Sequence, residues 1–412
     1  MSLVEKFARK KVFRNSDYLS TDHVPDRLMY RDEEMDRILD EIAFQFDDQV
    51  GSNLLVSGPT GTGKTHSLKK ICEEVNGFIE QNNMDGRIVY IHVKKKTVYD
   101  IFVSLNKEFG DYPSSGHSFD KVISDFASRL VDSGENLILV LDEINKIKCT
   151  NNTQGDPIDN LFYHTSRLSE YVDEKLDVMT IMVTNHPRVT DKVNDDSLST
   201  FQPEYIHFSS YSGDQIEEII SDRVEQAFLP GIVKRSVIGW LSATISNGLS
   251  DIRYGLKALK DAGKNVVRKD KQKVTIGDLQ EAMEKIEHDE VKATIKGLNK
   301  IQFAALVSLV SKDRTSRKGV NSESSYEEFE KICNYLGTEP RSYSYVRKFI
   351  MPKLESQGLI TSRIKGLGRG RGQILIYYVR GLEDMLPMVA EVAREDYGLV
   401  FRVDGQSVLE GY

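Results

Sequence analysis

The sequence predicts an α/β domain with a parallel sheet, then a small helical domain, then a domain of helices and strands. Three observations predict this order. Short apolar runs alternate with helical stretches as far as residue 208, the pattern is purely helical from there to about residue 290, and two apolar strands lie near the end of the remaining segment. Repeated strand–helix alternation indicates a parallel sheet with helices on both faces. We therefore expect domains at residues 1–208, 209–290 and 291–412.

Length and composition exclude several classes of protein. The 412 residues suffice for two or three domains, and a content of 39% hydrophobic and 29% charged residues is typical of a globular protein. No apolar run approaches the ~20 residues that span a bilayer, and the amino terminus lacks the apolar core of a secretion signal. The cysteines at positions 72, 149 and 333 lie far apart, which suits a reducing compartment. We expect a cytoplasmic protein.

Five runs rich in valine, isoleucine and leucine are the strand candidates of the first domain. They are continuous rather than alternating, as expected for strands that are buried on both faces. The runs cover residues 53–57, 88–93, 137–141, 178–184 and 205–208. Outside the sheet, an apolar stripe predicts a helix at 31–46, and a capping box at 212–215 predicts another that runs to about Phe228. A helix that begins near Thr275 is expected to end at about 287–289.

A glycine-rich loop follows the first predicted strand. Residues 58–65 match G-x-x-x-x-G-K-[ST], and a helical stretch follows at 66–75. The glycines let backbone N–H groups point at phosphate oxygens, and the helix places its positive end there. Lys64 is expected to bridge the β- and γ-phosphates of ATP, and the Thr65 hydroxyl to ligate Mg²⁺. The predicted ATP/ADP-binding loop comprises Gly58, Pro59, Thr60, Gly61, Thr62, Gly63, Lys64 and Thr65.

Polar residues end two later strands of the same predicted sheet. Asp142 and Glu143 follow the apolar run at 137–141, about 80 residues after the glycine-rich loop. Asp142 is expected to hold Mg²⁺, and Glu143 to act as the general base that polarises the attacking water. Asn185 ends the run at 178–184 and could orient that water or contact the γ-phosphate; a plain strand terminator is the alternative.

The formal net charge of −8 is not spread evenly along the chain. Residues 290–412 contain 19 Lys and Arg against 15 Asp and Glu, a net charge of +4, which leaves −12 for the rest. Between residues 341 and 380 there are nine cations and a single anion, Glu355. A local surplus of this kind is expected of a phosphate-backbone contact, whereas the alternative is a solvated face.

The cationic segment has the layout of a winged helix. We expect one helix at 327–336, a recognition helix at 343–357, and strands at 358–363 and 373–379 that flank a glycine/arginine wing. The groove-reading part is expected to end near Ile350, because Pro352 removes a helical hydrogen bond. The alternative is a winged helix that binds protein. The candidate DNA contacts are Ser342, Ser344, Tyr345, Arg347 and Lys348 on the helix, and Lys365, Arg369 and Arg371 in the wing.

The nucleotide motifs resemble an AAA+ ATPase core, and the chain resembles archaeal replication initiators related to the origin recognition complex and the cell-division-control loader protein. The entry segment at 18–34 (Tyr-Leu-Ser-Thr-Asp-His-Val-Pro-Asp-Arg-Leu-Met-Tyr-Arg-Asp-Glu-Glu), the segments 211–215 and 250–256, and the winged-helix pattern carry this second resemblance. It implies an AAA+ P-loop parallel sheet of strand order 5-1-4-3-2, a helical lid domain and a C-terminal winged-helix domain.

The resemblance also implies roles for single residues. Arg253 matches the sensor-two arginine that reaches the γ-phosphate from the lid. Tyr211 and Arg223 match positions that line the nucleotide, and Val24, Pro25 and Arg31 match the segment around the adenine. Residues 94–96 and the helix after them occupy the place of a second DNA-binding element, although they could equally be a solvated strand end.

One departure from the family pattern concerns hydrolysis. By spacing, the arginine that enters a neighbour's ATP site in this family falls at Asp196. Because such an arginine can be worth ~10³-fold in phosphoryl transfer, we expect an ATP-binding switch with slow ATPase activity.

The resemblance implies an ATP-binding replication initiator that recognises origin DNA and helps to recruit or load the replicative helicase. The expected partners are double-stranded origin DNA, the replicative helicase, and a paralogous initiator or a second copy, with no membrane; the protein would associate with the nucleoid. An ATP-binding winged-helix transcription regulator and an AAA+ loader or motor remain alternatives.

Overall fold

The computed structural model describes residues 11–25, 27–46, 51–149, 155–249, 251–313, 319–366, 373–401 and 409–411. The chain divides into two compact units, Met1–Leu279 and Gln280–Tyr412. In the described part of the chain, no helix is both long and apolar enough to cross a membrane.

A five-stranded parallel sheet forms the centre of the first unit. Its strands are β1 (Leu54–Ser57), β2 (Gly86–His92), β3 (Asn136–Asp142), β4 (Val178–Thr184) and β5 (Glu204–His207). They lie side by side in the order β2-β3-β4-β1-β5, and every neighbouring pair is parallel. The predicted parallel α/β sheet and its strand order are confirmed, and each predicted strand end lies within about two residues of the observed one.

Helices cover both faces of this sheet. One face packs against α1 (Asp32–Phe46) and α2 (Lys64–Asn82), and the other against α3 (Val98–Glu108), α4 (Phe119–Ser133), α5 (Pro157–Ser166) and α6 (Asp195–Phe201). Successive residues of a strand therefore enter different cores. Leu139 is fully buried in one core and Val140 in the other, which explains the continuous apolar runs of the sequence.

Four helices follow the sheet: α7 (Gly213–Ala227), α8 (Arg235–Thr244), α9 (Ile252–Arg268) and α10 (Ile276–Lys296). The predicted capping box opens α7, because the Ser212 hydroxyl accepts from the Gln215 N–H and the Gln215 side chain accepts from the Ser212 N–H. The predicted end of α10 at 287–289 is wrong. Nothing at those positions breaks a helix, and Gly297 is the first residue after α10 that favours termination.

The second unit combines helices with a small antiparallel sheet. In chain order its elements are α11 (Lys300–Lys312), β6 (Val320–Asn321), α12 (Ser322–Tyr335), α13 (Tyr343–Tyr345), α14 (Met351–Ser356), β7 (Ile360–Gly366), β8 (Gln373–Val379), α15 (Leu382–Tyr397), β9 (Leu399–Phe401) and β10 (Leu409–Gly411). The strands pair in the order β6-β8-β7, and β9 pairs with β10. Two helices followed by the β7–β8 hairpin confirm the predicted winged helix.

The helix that contains Pro352 continues to Ser356. A π-helical turn, Val346–Ile350, joins α13 to α14, and the Met351 N–H donates to the Val346 carbonyl five residues back. A π turn is one of the recognised ways in which a helix absorbs a local break in its hydrogen-bond ladder. The predicted recognition helix at 343–357 is confirmed to within one residue, and the end of its groove-reading part near Ile350 stays a prediction.

Candidate functional site

A cavity of about 620 Å³ opens at the carboxyl edge of the parallel sheet, between the glycine-rich loop and helices α7 and α9. The sheet, the loop and both helices belong to the first unit. The predicted site residues that line this cavity are Pro25, Thr60, Gly61, Thr62, Gly63, Lys64, Thr65, Asp142, Glu143, Asn185, Tyr211, Arg223 and Arg253. Val24, Arg31, Gly58 and Pro59 lie outside its lining.

Close packing determines where the loop requires glycine. Gly58 and Gly61 have φ angles of 152° and 82°. A Cβ at Gly58 would lie 2.3 Å from the Phe208 carbonyl oxygen, and one at Gly61 would lie 2.6 Å from Asp251 Oδ1. The loop thus passes directly against the end of β5 on one side and the start of α9 on the other, where a side chain has no room.

The Lys64 ammonium lies beneath the loop, and the residue as a whole is only 7% exposed. Its Nζ donates to the carbonyl oxygens of Gly58 and Pro59, at 2.7 Å each. Burial lowers the pKa of Lys64 from 10.5 to about 8. All three hydrogen-bond partners of the ammonium, two carbonyls and the Thr62 hydroxyl, are neutral, so anionic phosphate oxygens would be stronger partners.

Asp142 and Glu143 have separate sets of donors. The Asp142 carboxylate accepts from the Thr65 hydroxyl at 2.7 Å and from the Tyr90 hydroxyl at 2.6 Å. The Glu143 carboxylate contacts His92 Nε2 at 2.8 Å and Lys146 Nζ at 2.5 Å. Burial acts to raise the pKa of Glu143, but the hydrogen bonds and charges of Lys146 and His92 together lower it. Glu143 is therefore held as a carboxylate by two neighbours.

Asn185 lies at the end of β4, beside the loop. Its Nδ2 donates to the Thr60 hydroxyl at 3.4 Å, and its backbone N–H donates to Asn145 Oδ1 at the same distance. Asn145 thus connects the turn after β3 to the end of β4. The contacts place the Asn185 amide at the rim of the phosphate loop.

Arg31 contacts the glycine-rich loop from outside the cavity lining. It is buried, and its Nε donates to the Thr62 carbonyl at 2.8 Å and to the Tyr211 hydroxyl at 3.1 Å. Its Nη2 donates to the Ser209 carbonyl at 2.6 Å, and its guanidinium carbon lies 4.0 Å from the centre of the Tyr211 ring. Arg31 therefore ties the loop to the segment that leads into α7.

Two arginines approach the cavity from the helical part. Arg253 donates to both Asp251 oxygens, through Nε at 3.0 Å and Nη2 at 2.9 Å. Arg223 is buried, and its Nη1 has no hydrogen-bond partner among the described residues. Burial lowers the pKa of Arg223. Arg223 also lines the cavity, and a buried guanidinium with an unpaired N–H is suited to an anionic partner.

The lining as a whole matches a polyphosphate. Its cations are Arg27, Lys64, Lys69, Lys94, Lys146, Arg223 and Arg253, and its anions are Asp22, Asp142, Glu143 and Asp222. The cationic surplus contrasts with the net charge of −12 on the chain before residue 290. One carboxylate and one hydroxyl beside a phosphate loop suit Mg²⁺, which typically uses few protein ligands and completes its shell with phosphate and water. The residues fit Mg-ATP or Mg-ADP.

Several lining residues were not predicted from the sequence. Tyr90 and His92 belong to β2, and their contacts with Asp142 and Glu143 arise because β2 lies beside β3 with His92 opposite Asp142. The alternation of side chains along β2 could have indicated that positions 90 and 92 share a face. Lys146 could have been found from its spacing of three residues after Glu143.

The predicted DNA contacts that the structure describes are all exposed: Ser342, Ser344, Tyr345, Arg347, Lys348 and Lys365. Ser342 also has a structural role, because its hydroxyl caps α13. Arg369 and Arg371 lie outside the described residues. Asp196, where the family arginine was expected, is exposed on α6, and its carbonyl accepts from Arg167.

Three family models match successive parts of the chain. An AAA domain matches residues 48–189, the Cdc6 AAA+ ATPase-type lid domain matches 217–284, and the CDC6 C-terminal winged helix domain matches 293–381.

Curated relatives and a solved structure are similar over most of the chain. The chain is 30% identical over 366 residues to an ORC1-type DNA replication protein of Methanothermobacter thermautotrophicus. The aligned region covers 88% of this chain and 92% of the relative. The chain is 27% identical over 406 residues to an ORC1-type DNA replication protein of Pyrococcus furiosus, covering 96% and 93%. The Aeropyrum pernix ORC1 protein, solved in complex with DNA, has a TM-score of 0.83 at 23% identity and covers 94% of this chain and 98% of its own.

Proposed function

The chain belongs to the family of ORC1-type DNA replication proteins, and we propose that it is an ATP-binding initiator that recognises duplex origin DNA and helps to recruit or load the replicative helicase. The observation that carries this proposal is the presence in one chain of a cation-rich phosphate cavity and a winged helix with a cationic exposed helix. We divide these activities among a nucleotide-binding domain at 1–208, a lid at 209–290 and a DNA-binding domain at 291–412.

For the nucleotide, we assign the phosphates to the glycine-rich loop and Lys64. Thr65 and Asp142 would hold Mg²⁺, which would neutralise charge on the phosphates. Tyr211 and Arg223 would line the nucleotide. Arg253 lies on α9, which belongs to the proposed lid. It would contact the γ-phosphate and so make the position of the lid depend on which nucleotide is bound.

For hydrolysis, we propose slow turnover. Glu143 is the candidate base, but His92 and Lys146 already occupy both of its oxygens. Each carboxylate oxygen can still accept from a water, but the two partners lower the pKa of Glu143 and so make it a weaker base. Asn185 would orient that water. With aspartate at position 196 in place of the family arginine, nucleotide binding would act as a state marker more than as an energy source.

For DNA, the exposed cations Arg347, Lys348 and Lys365 would contact phosphates, with Arg369 and Arg371 in the wing. Each phosphate contact adds about 0.9 to the slope of log affinity against log salt. A DNA complex has been solved for the Aeropyrum pernix ORC1 protein, whose overall fold is similar. Exposed Ser344 and Tyr345 would face base edges.

Two measurements on the full chain test the proposal. Lys64→Ala should abolish ATP binding by calorimetry and leave binding to duplex DNA at least partly intact, because Lys64 belongs to the nucleotide cavity. Chromatin occupancy in the host should then peak where replication starts. Occupancy confined to promoters would favour the transcription regulator, and ATPase turnover that rises steeply with protein concentration would favour the motor.

A further inference from the structure

Two aromatic side chains stand exposed on the helix that carries the cationic surplus. Phe349 is 61% exposed and Tyr345 is 45% exposed. Their ring centres are 5.0 Å apart, and the Arg341 guanidinium lies 5.7 Å from the centre of the Tyr345 ring. Single exposed apolar residues are common on protein surfaces, but an aromatic pair in contact forms an apolar patch that favours a ligand.

Helical geometry explains why Phe349 faces solvent. The buried face of this helix is formed by Val346, Ile350, Met351 and Leu354. At about 100° per residue, Phe349 lies roughly 60° around the axis from Val346, 100° from Ile350 and 140° from Leu354, so it projects away from that face. The wider turn, closed by the hydrogen bond from the Met351 N–H to the Val346 carbonyl, keeps Phe349 on the exposed side.

Cations lie near the aromatic pair in the sequence of the same helix and the segment before it. Arg341, Arg347, Lys348 and Lys353 are all exposed on or beside the same helix. The one carboxylate of this helix, Glu355, accepts from the backbone N–H and the hydroxyl of Ser362 on β7. The surface therefore combines an apolar centre with a cationic rim, which complements a ligand that has apolar groups between anionic ones.

The major groove of DNA has this chemistry. Phosphates line its two edges, and the thymine C5-methyl group is its apolar feature. A helix of this size fits the groove, and aromatic side chains can contact the methyl group. We propose that Phe349, supported by Tyr345, contacts thymine methyl groups in the major groove and so gives the protein a preference for thymine at one or two adjacent positions. This inference rests on the proposed DNA-binding function.

The test uses the full chain and a duplex that the wild-type protein selects from a random pool. Each thymine of the selected site is replaced in turn by deoxyuridine, which removes only the methyl group. For the wild-type protein we expect an affinity loss of about fourfold at one or two adjacent positions, since one buried methyl group is worth roughly this factor. Phe349→Ala should lose affinity for the thymine duplex and show no further loss with uridine at those positions.

Tyr335→Ala is the matched control, because Tyr335 is 55% exposed on α12. It should discriminate thymine from uridine as the wild type does. If the protein selects a site but no replacement of thymine by deoxyuridine changes its affinity, the thymine inference is overturned and the initiator proposal stands. Selection of no sequence at all, with equal affinity for every duplex, would overturn both. A Phe349→Ala protein that binds both duplexes like the wild type would also overturn the inference and point instead to a protein partner.

Discussion

Replacement of Lys64 by methionine tests the energetic cost of the buried ammonium. Methionine has a similar length and no charge, so it removes the charge and leaves the volume nearly unchanged. Burial lowers the pKa of Lys64 from 10.5 to about 8. Below pH 8 the lysine is charged in both the folded and the unfolded protein. Between pH 8 and 10.5 the unfolded protein binds more protons, so the free energy of unfolding must rise with pH in this window.

The size of the effect follows from the two pKa values. Between pH 7.5 and 9.5 the wild type should gain about 2 kcal/mol of unfolding free energy relative to Lys64→Met. The assay is urea unfolding without nucleotide, followed by the fluorescence of Trp240, the single tryptophan of the chain. Trp240 lies on α8 in the first unit and reports on the unit that contains Lys64.

Added Mg-ATP gives the second comparison. At 100 times its dissociation constant, the nucleotide should stabilise the wild type by about 2.7 kcal/mol and the methionine variant not at all. Lys70→Met, on the same helix and outside the cavity lining, should keep both the pH slope and the ATP response. Equal pH slopes in wild type and Lys64→Met, or ATP stabilisation of the variant, would refute the assignment of a poorly compensated phosphate-binding lysine.

Three further predictions concern residues in or beside the same cavity. Gly58→Ala should lower the unfolding free energy by more than about 2 kcal/mol and abolish ATP binding, because its Cβ would lie 2.3 Å from the Phe208 carbonyl oxygen; in contrast, Gly77→Ala, in open space on α2, should raise stability by about 0.5–1 kcal/mol. Arg223→Met should leave unfolding without nucleotide nearly unchanged but weaken ATP binding in calorimetry by at least about tenfold, the cost of one charge-assisted hydrogen bond; an unchanged affinity would remove this arginine from the nucleotide site. Asp251→Ala removes the cap of α9 and should lower the unfolding free energy by about 1 kcal/mol, whereas an unchanged thermal midpoint would count against the capping role.

Strand ends and the glycine-rich loop were predictable because they depend on local sequence. Continuous apolar runs reveal buried parallel strands, and polar residues at their carboxyl ends must meet at one edge of the sheet. Asp142 and Asn185 were found in this way. Contacts between distant elements were harder to predict from the sequence. The role of Arg31 depends on carbonyls at positions 62 and 209, which are distant in sequence, and no local pattern brings them together.

The helix that contains Pro352 shows a different limit of sequence analysis. Pro352 did signal a disturbance, but the sequence does not say whether the chain ends, kinks or widens there. The structure has a widened turn at Val346–Ile350, after which the helix continues to Ser356. A π turn depends on how the whole helix packs, and no local pattern distinguishes it from a helix end.

The charged groups of the cavity already have partners within the protein, and this affects what nucleotide binding must do. Lys64 is held by loop carbonyls, and Arg253 by Asp251. A bound triphosphate must compete with these contacts for each cation, so its net gain at each cation is a difference between two partners rather than a full interaction. Arg223 differs, because its Nη1 has no partner among the described residues to give up. Since Arg223 lies on α7, part of the net gain should fall on the lid side of the cavity. Nucleotide binding should therefore favour closure of the lid, as expected of a switch.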